Sequence, residues 1–113
     1  MNKITAKTLY KEKKKDFSFE IITGEEHLHK RIITSCDIFR PGLALAGYTG
    51  YFLSERIMII GKTETSYLKT LNKKTKAQRI ATIMKIGTPC VIVTKKLKID
   101  EKFIEEANKR KIP

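Results

Sequence analysis

The sequence predicts an α/β domain, a small mixed or parallel sheet with helices packed against it. Three observations carry this. "IMII" (57–60) and the core of "PCVIVT" (89–94) are continuous apolar runs. Such runs are typical of strands covered on both faces, as in parallel sheets, rather than of strands with one wet face. The stretches between and after them carry helical spacing, so the second half reads strand, helix, helix, strand, helix. The length, 113 residues, suits one domain, 1–113, with a single modest core.

"TAKTLYKEKKK" (5–15) reads as a first helix, with Thr5 as its N-cap and Leu9 on its apolar side. "FSFEII" (17–22) places Phe17, Phe19 and Ile21 on one face and reads as a strand. "TGEEH" (23–27) is a turn, and "RIIT" (31–34) a short strand expected to pair with 17–22 as a hairpin. In "SCDIFRPGLALAG" (35–47), Pro41 fixes its own φ and pushes Arg40 towards an extended conformation. That segment is expected to be buried and partly irregular, and "YTGYFLSER" (48–56) to be a loop. After the strand at 57–60, "TETSYLKTL" (63–71) begins a helix with Thr63 as N-cap and Tyr67, Leu68 and Leu71 inward. "KTKAQRIATIMKIG" (74–87) is a helix with Ile80, Ile83 and Met84 as its stripe, stopped by Gly87. "IDEKFIEEANKRK" (99–111) is a helix capped by Asp100, with Phe103, Ile104 and Ala107 inward and basic residues at its C-terminal end. "KIP" then stands where another strand would begin beside "CVIVT", which reads as a chain cut before its next strand.

The formal net charge is +12, from 24 Lys+Arg against 12 Asp+Glu. Nineteen of those bases are Lys and five are Arg, and there is no Trp. Base-edge recognition leans on Arg, and single-strand binding on stacking aromatics, so the charge reads as a lysine-rich solvated surface rather than a nucleic-acid footprint. Cys36 and Cys90 make no disulfide framework and read as reduced, partly buried thiols. No apolar run reaches bilayer length, and the N-terminus lacks the apolar segment of a secretory signal. A cytoplasmic protein without a membrane partner is expected.

Gly61-Lys62-Thr63 has the ending of a phosphate-binding P-loop, which needs G-x-x-x-x-G-K-[ST]. Five residues before Gly61 stands Arg56, and the interval is the strand-like "IMII". Extended backbone cannot wrap its amides around a phosphate, so the loop is missing. Gly61 then ends a strand with Lys62 exposed, although the helix N-terminus with Lys62 and Thr63 could still hold one anionic group. Arg40 on the stiff Pro41-Gly42 turn could hold a carboxylate or phosphate, or equally could organise the loop through backbone carbonyls. His27 and His29 read as exposed turn histidines, because no further ligands are spaced for zinc. Cys36 beside Asp37 has no histidine placed to activate it. The pairs Glu25-Glu26 and Glu105-Glu106 read as solvated rather than as an acid/base couple.

"ITGEEHLHKRI", "FRPGLALAGY", "ERIMIIGKTETSYL" and "PCVIVTKKL", in that order, closely resemble the N-terminal domain of HPr kinase/phosphorylase over nearly the whole chain. Phe39 before the Arg, and "SERI" after a loop without proline, depart from the usual pattern. The resemblance implies a bacterial cytoplasmic enzyme that phosphorylates a serine of HPr with ATP or pyrophosphate, removes that phosphate by phosphorolysis, requires magnesium and is hexameric. It places the chemistry in a C-terminal kinase domain with a true P-loop, absent from this chain. It implies for this chain a fold similar to the nucleotide-sugar-binding domain of Mur ligases and no catalytic residue or cofactor of its own. Matching the motif marks Arg40, Lys62, Thr63, Glu64 and Ser66 as candidates for ligand or interdomain contact. Pro41, Gly42, Gly47, Tyr48 and Gly61 are marked as structural signature positions. A stand-alone ligand-binding regulatory module, or a basic nucleic-acid-binding protein, are the alternative readings.

Overall fold

The computed structural model describes residues 4–34, 38–41, 56–95 and 97–113. The expectations for Cys36, Gly42, Gly47, Tyr48 and the loop 48–55 lie outside them. The described residues form a mixed α/β arrangement with a three-stranded parallel sheet at its centre. Its strands are β3 (Ile38–Phe39), β4 (Ile57–Ile60) and β5 (Val91–Val93), in the order β3-β4-β5. Ile38 lies opposite Ile57, and Met58, Ile59 and Ile60 lie opposite Val91, Ile92 and Val93. The middle position goes to the most continuous apolar run, because that strand is covered on both faces and paired on both edges. Met58 and Ile60 are fully buried, while Ile57 and Ile59 are half-buried, so one face of β4 is dry and the other partly covered.

The dry face meets α2 (Lys62–Lys69), α3 (Lys73–Ile86) and α4 (Glu101–Arg110). Leu68, Ile80, Ile83, Met84, Phe103 and Ala107 close on Met58 and Ile60 there. Each of α3 and α4 starts where a side chain takes an amide that the helix itself cannot use. Asn72 Oδ1 accepts from the Thr75 N–H at 2.8 Å, and Asp100 Oδ1 from the Lys102 N–H at 2.8 Å. Gly87, at φ +97°, ends α3 as expected. Lys76 Nζ lies 2.8 Å from Asp100 Oδ2, across the contact between α3 and α4. Burial pushes the Asp100 carboxyl up, but its bonds to Lys76 and the Lys102 amide outweigh this and hold it below the usual carboxylate range.

Glu106 corrects the reading of Glu105-Glu106 as a solvated pair. Glu105 is exposed, whereas Glu106 is 2% exposed. It follows Phe103 by three positions and so shares the buried face of α4. Lys102 one turn before and Arg110 one turn after meet its carboxylate at 3.3 and 3.1 Å. Burial alone would raise its pKa; the bonds to Lys102 and Arg110 depress it instead.

On the other face of the sheet lies α1 (Ala6–Phe17), capped by Thr5, whose side chain accepts from the Thr8 N–H at 3.2 Å. Ala6, Ile33 and Cys90 form a small buried cluster with Leu9, Leu28 and Ile57 against it. Burial pushes the Cys90 thiol from 9.0 up to about 12. The structure overturns the strand expected at 17–22. The helix runs on through Phe17, and Ser18 ends it in the left-handed region at φ 53°. Phe17 is left exposed and Phe19 and Ile21 half-buried, with the two rings 5.6 Å apart. The period-2 pattern there came from chance placement across a helix end. β2 (Ile32–Ile33) does form, but its antiparallel partner is β1 (Ile4–Thr5), not residues 17–22. Residues 23–27 do turn, with Gly24 at φ +68° opening a short 3₁₀ turn over Glu25–His27.

Beyond α4, Ile112 is buried and the Pro113 carbonyl accepts from the Val91 N–H at 2.9 Å. The chain thus reaches the flank of β5 where the sequence led us to expect a further strand. No helix among the described residues is long and apolar enough to cross a membrane.

Candidate functional site

Parallel strands carry their successive helix N-termini at one edge, and ligands of open α/β sheets bind there. In this chain Arg40 and Pro41 follow β3, Gly61 follows β4 and Thr94 follows β5, so the marked residues gather at that carboxyl edge. Sequence spacing alone could not place Arg40 beside Gly61, twenty-one positions away. The parallel register does.

Gly61 is extended at φ −119°, ψ −165°, and it is the N-cap of α2. This corrects Thr63, which lies one position inside the first turn and is exposed. The reason is a carboxylate. Glu64 turns back, and its Oε1 accepts from the Gly61 N–H at 2.6 Å. A glutamate three positions after the cap is the reciprocal half of a capping box, and it takes the amide without help from a threonine. The same oxygen lies 3.1 Å from Arg40 Nη2. Glu64 is buried, while about half of the Arg40 side chain is exposed, at 51%. Of the two roles open to Arg40, it takes a carboxylate, and the carboxylate is the protein's own. A Cβ on Gly61 would stand 2.7 Å from Arg40 Nη2 and 3.3 Å from Thr94 Oγ1, so glycine leaves the guanidinium room against the backbone. Pro41 is fully buried and holds the chain where Arg40 departs from β3.

Lys62, Thr63 and Ser66 are exposed on the outer side of the first turns of α2. The structure therefore brings Arg40, Gly61 and Glu64 together and leaves the other three on the rim. The strand geometry of Ile57–Ile60 persists up to Gly61, so no loop encircles a phosphate there. One donor pair and one buried carboxylate close on each other. Such an arrangement orients a turn; it offers no base to a nucleophile.

The remaining candidates do not assemble. His27 is half-buried with Nε2 3.4 Å from Glu26, and His29 is exposed. No three His, Cys, Asp or Glu among the described residues are grouped to hold a metal ion. The buried Cys90, its thiol pushed to about 12, is a packing residue and not a nucleophile. Sequence reasoning missed Glu64 as the partner of both Gly61 and Arg40. The Gly-x-x-Glu spacing was the available signal for the first bond; nothing local signalled the second.

Residues 4–113 match the family described as HPr Serine kinase N terminus. The chain is 38% identical over 113 residues to HPr kinase/phosphorylase of Shouchella clausii (strain KSM-K16), covering all of this chain and 35% of that protein. It is 36% identical over 99 residues to HPr kinase/phosphorylase of Exiguobacterium sibiricum, covering 88% of this chain and 32% of that protein. Against HPr kinase/phosphorylase of Bacillus mycoides (strain KBAB4) it is 32% identical over 113 residues, again all of this chain and 35% of the relative. The chain thus spans about a third of the length of the relatives it matches.

Proposed function

The chain belongs to the HPr Serine kinase N terminus family, and on that premise we propose that it is the non-catalytic N-terminal domain of a bifunctional HPr serine kinase/phosphorylase. The single observation that carries the reading is the family match across residues 4–113. In this reading the whole protein transfers phosphate from ATP or pyrophosphate to a serine of HPr and reverses the transfer by phosphorolysis, as a cytoplasmic hexamer acting in carbon catabolite repression. The domain's fold is of the kind found in the nucleotide-sugar-binding domain of Mur ligases.

ATP and magnesium belong to the kinase part. Among the described residues none fits them: the carboxylate at the Gly61-Lys62-Thr63 turn is Glu64, and it is spent on Gly61 and Arg40. No phosphoryl-transfer step is therefore routed through this domain. Its partners are the kinase part, other copies within the oligomer and, through the enzyme, HPr. The test is a pair of assays with HPr, ATP and magnesium. The chain alone is expected to transfer no phosphate. The chain joined to the remaining two thirds of the Shouchella clausii relative is expected to phosphorylate HPr on serine. Transfer by the chain alone, or an inert but folded and assembled hybrid, overturns the reading.

A second reading, a ligand-binding regulatory module, draws on one observation. Arg40, half-exposed, and the exposed Lys62 and Thr63 stand together at the carboxyl edge of the parallel strands, where anionic ligands bind in this architecture. Titration with nucleotides, sugar phosphates and nucleotide sugars, with Lys62→Ala as control, decides it. Saturable binding lost in the variant supports the module, and no saturable binding by any of them removes it.

A further inference from the structure

A cleft of about 250 Å³ opens between the turn over Glu25–His27 and the end of α4, lined by His27, Lys30, Arg31 and Lys111. Every lining residue is a base or a histidine. Three of them fall within five positions of the sequence, while Lys111 stands eighty positions beyond Arg31 and joins them through the fold.

The four are carried on bonded backbone. The His27 N–H donates to the Gly24 carbonyl at 2.9 Å, and the Lys30 N–H to the His27 carbonyl at 3.0 Å. Arg31 donates from Nη2 to the Arg110 carbonyl at 2.6 Å and from Nε to the Lys111 carbonyl at 3.0 Å. These two bonds fix the plane of the guanidinium. They also occupy the carbonyl end of α4, whose partial negative charge would repel an anion. Lys111 is the C-cap of that helix, at φ 58°, and its N–H donates to the Asn108 carbonyl at 3.3 Å. The His27 side chain is 19% exposed, while Lys30 and Lys111 are exposed at the rim.

Little negative charge answers these groups. Glu26 Oε1 lies 3.4 Å from His27 Nε2, but that carboxylate is 74% exposed, where an ion pair counts for little. The neighbouring Arg110 is taken up by Glu106 at 3.1 Å. Among the described residues, Lys30, Arg31 and Lys111 make no ion pair. Like charges gathered in this way repel one another, and an anion between them removes that cost.

We propose that this cleft binds a small phosphoryl anion. Near neutral pH a phosphoryl group carries close to two negative charges and several acceptor oxygens, which suits a fixed guanidinium flanked by two ammonium groups. Among the described residues no carboxylate lines the cleft, so the anion is held by these side chains and not through a metal. The site is separate from the rim of the Gly61 turn: Lys111 stands near the start of β5, where Pro113 meets Val91, whereas Lys62 follows the end of β4. It does not depend on the kinase reading.

The test titrates the chain with inorganic phosphate, glycerol phosphate and acetate, each against sodium chloride of equal ionic strength. The readout is the set of NMR amide shifts. Saturable shifts are expected at residues 27–31 and 111 with phosphate or its ester, and far weaker ones with acetate. Tighter binding of the ester assigns the site to a phosphorylated organic compound, and tighter binding of inorganic phosphate to the free ion. Lys30→Gln and Lys111→Gln, both at exposed positions, are each expected to weaken binding roughly tenfold, the scale of one charge-assisted hydrogen bond. Arg31 is left intact, because it holds the end of α4. Lys62→Ala is expected to leave binding unchanged, and loss of binding in that variant would move the site to the Gly61 turn and overturn the proposal. Shifts that stay linear, that sodium chloride reproduces, or that acetate matches also overturn it. So does unchanged affinity in both glutamine variants.

Discussion

The turn after β4 and the outer edge of β5 belong to one sheet and differ in how their polar groups are met. At the turn, the letters Gly-Lys-Thr suggest a ligand site, yet the Gly61 amide and the Arg40 guanidinium converge on Glu64, a buried carboxylate of the protein itself. At the edge, the unremarkable Val-Ile-Val of β5 adjoins an apolar groove, with the Pro113 carbonyl bonded to its first amide. The difference teaches that sequence motifs report which donors exist, while the tertiary structure decides whether those donors are already engaged. An engaged turn is architecture.

The largest expected effect tests whether the chain exit is truly pinned at the edge. Gly24→Ala is predicted to cost about 3 kcal/mol in urea unfolding. The left-handed φ of +68° penalises any side chain, and the new Cβ would press on the Pro113 backbone. A loss no larger than the roughly 1–2 kcal/mol that a left-handed φ alone costs an alanine would mean that residues 112–113 yield freely to the new Cβ. Next comes the turn. Glu64→Ala is predicted to cost about 2 kcal/mol, because it leaves a buried amide without its acceptor. Glu64→Gln, whose amide oxygen can still accept from Gly61, should lose about half as much. If the two variants lose equally, the Gly61 bond is not what closes the turn.

A pH series separates helix packing from both regions. Asp100 and Glu106 have folded pKa values below their ordinary ones, so they bind protons more weakly folded than unfolded. Their stabilisation is complete above the unfolded values and is lost as pH falls through the folded ones. Thermal midpoints should therefore be level between about pH 5 and 8, on the ordinary carboxylate scale, and drop below that. Glu106→Gln should make the acid slope shallower. Cys90 works in the opposite sense: raised from 9.0 to about 12, its thiol stays protonated in the fold while the unfolded chain ionises. Stability should fall as pH climbs above 9, and Cys90→Ser should reduce that alkaline slope. The smallest effect is at the rim of the turn: Lys62→Ala should change stability by no more than about 0.5 kcal/mol, since its side chain is exposed. A larger loss would show Lys62 working inside the turn.

Much of the fold was legible because its signals are local. Thr5, Asn72 and Asp100 take helix amides from within a few positions, and of these the sequence reading named Thr5 and Asp100. The stripe Ile80, Ile83, Met84 and the stop at Gly87 stand in the structure as read. The errors arose where one local pattern fitted two states. Alternation at Phe17, Phe19 and Ile21 suits a strand, but α1 had enough helix-forming lysines to carry on through Phe17. Thr63 suits an N-cap, but Glu64 already supplied the oxygen. Glu106 looked solvated beside Glu105 until its position opposite the core, between Lys102 and Arg110, showed how its charge is compensated.

By itself, the amino-acid order determined that β4 is extended up to Gly61, because four consecutive bulky apolar residues favour a strand buried in a sheet over a loop that cups an anion. That strand geometry excludes a P-loop ending at Gly61-Lys62-Thr63. Only the tertiary structure decided that Arg40 and Glu64 close the turn and that the Pro113 carbonyl meets Val91 on the flank of β5. Both depend on strand order and register, and these are set by contacts between residues far apart in the chain, which no window of neighbouring residues contains.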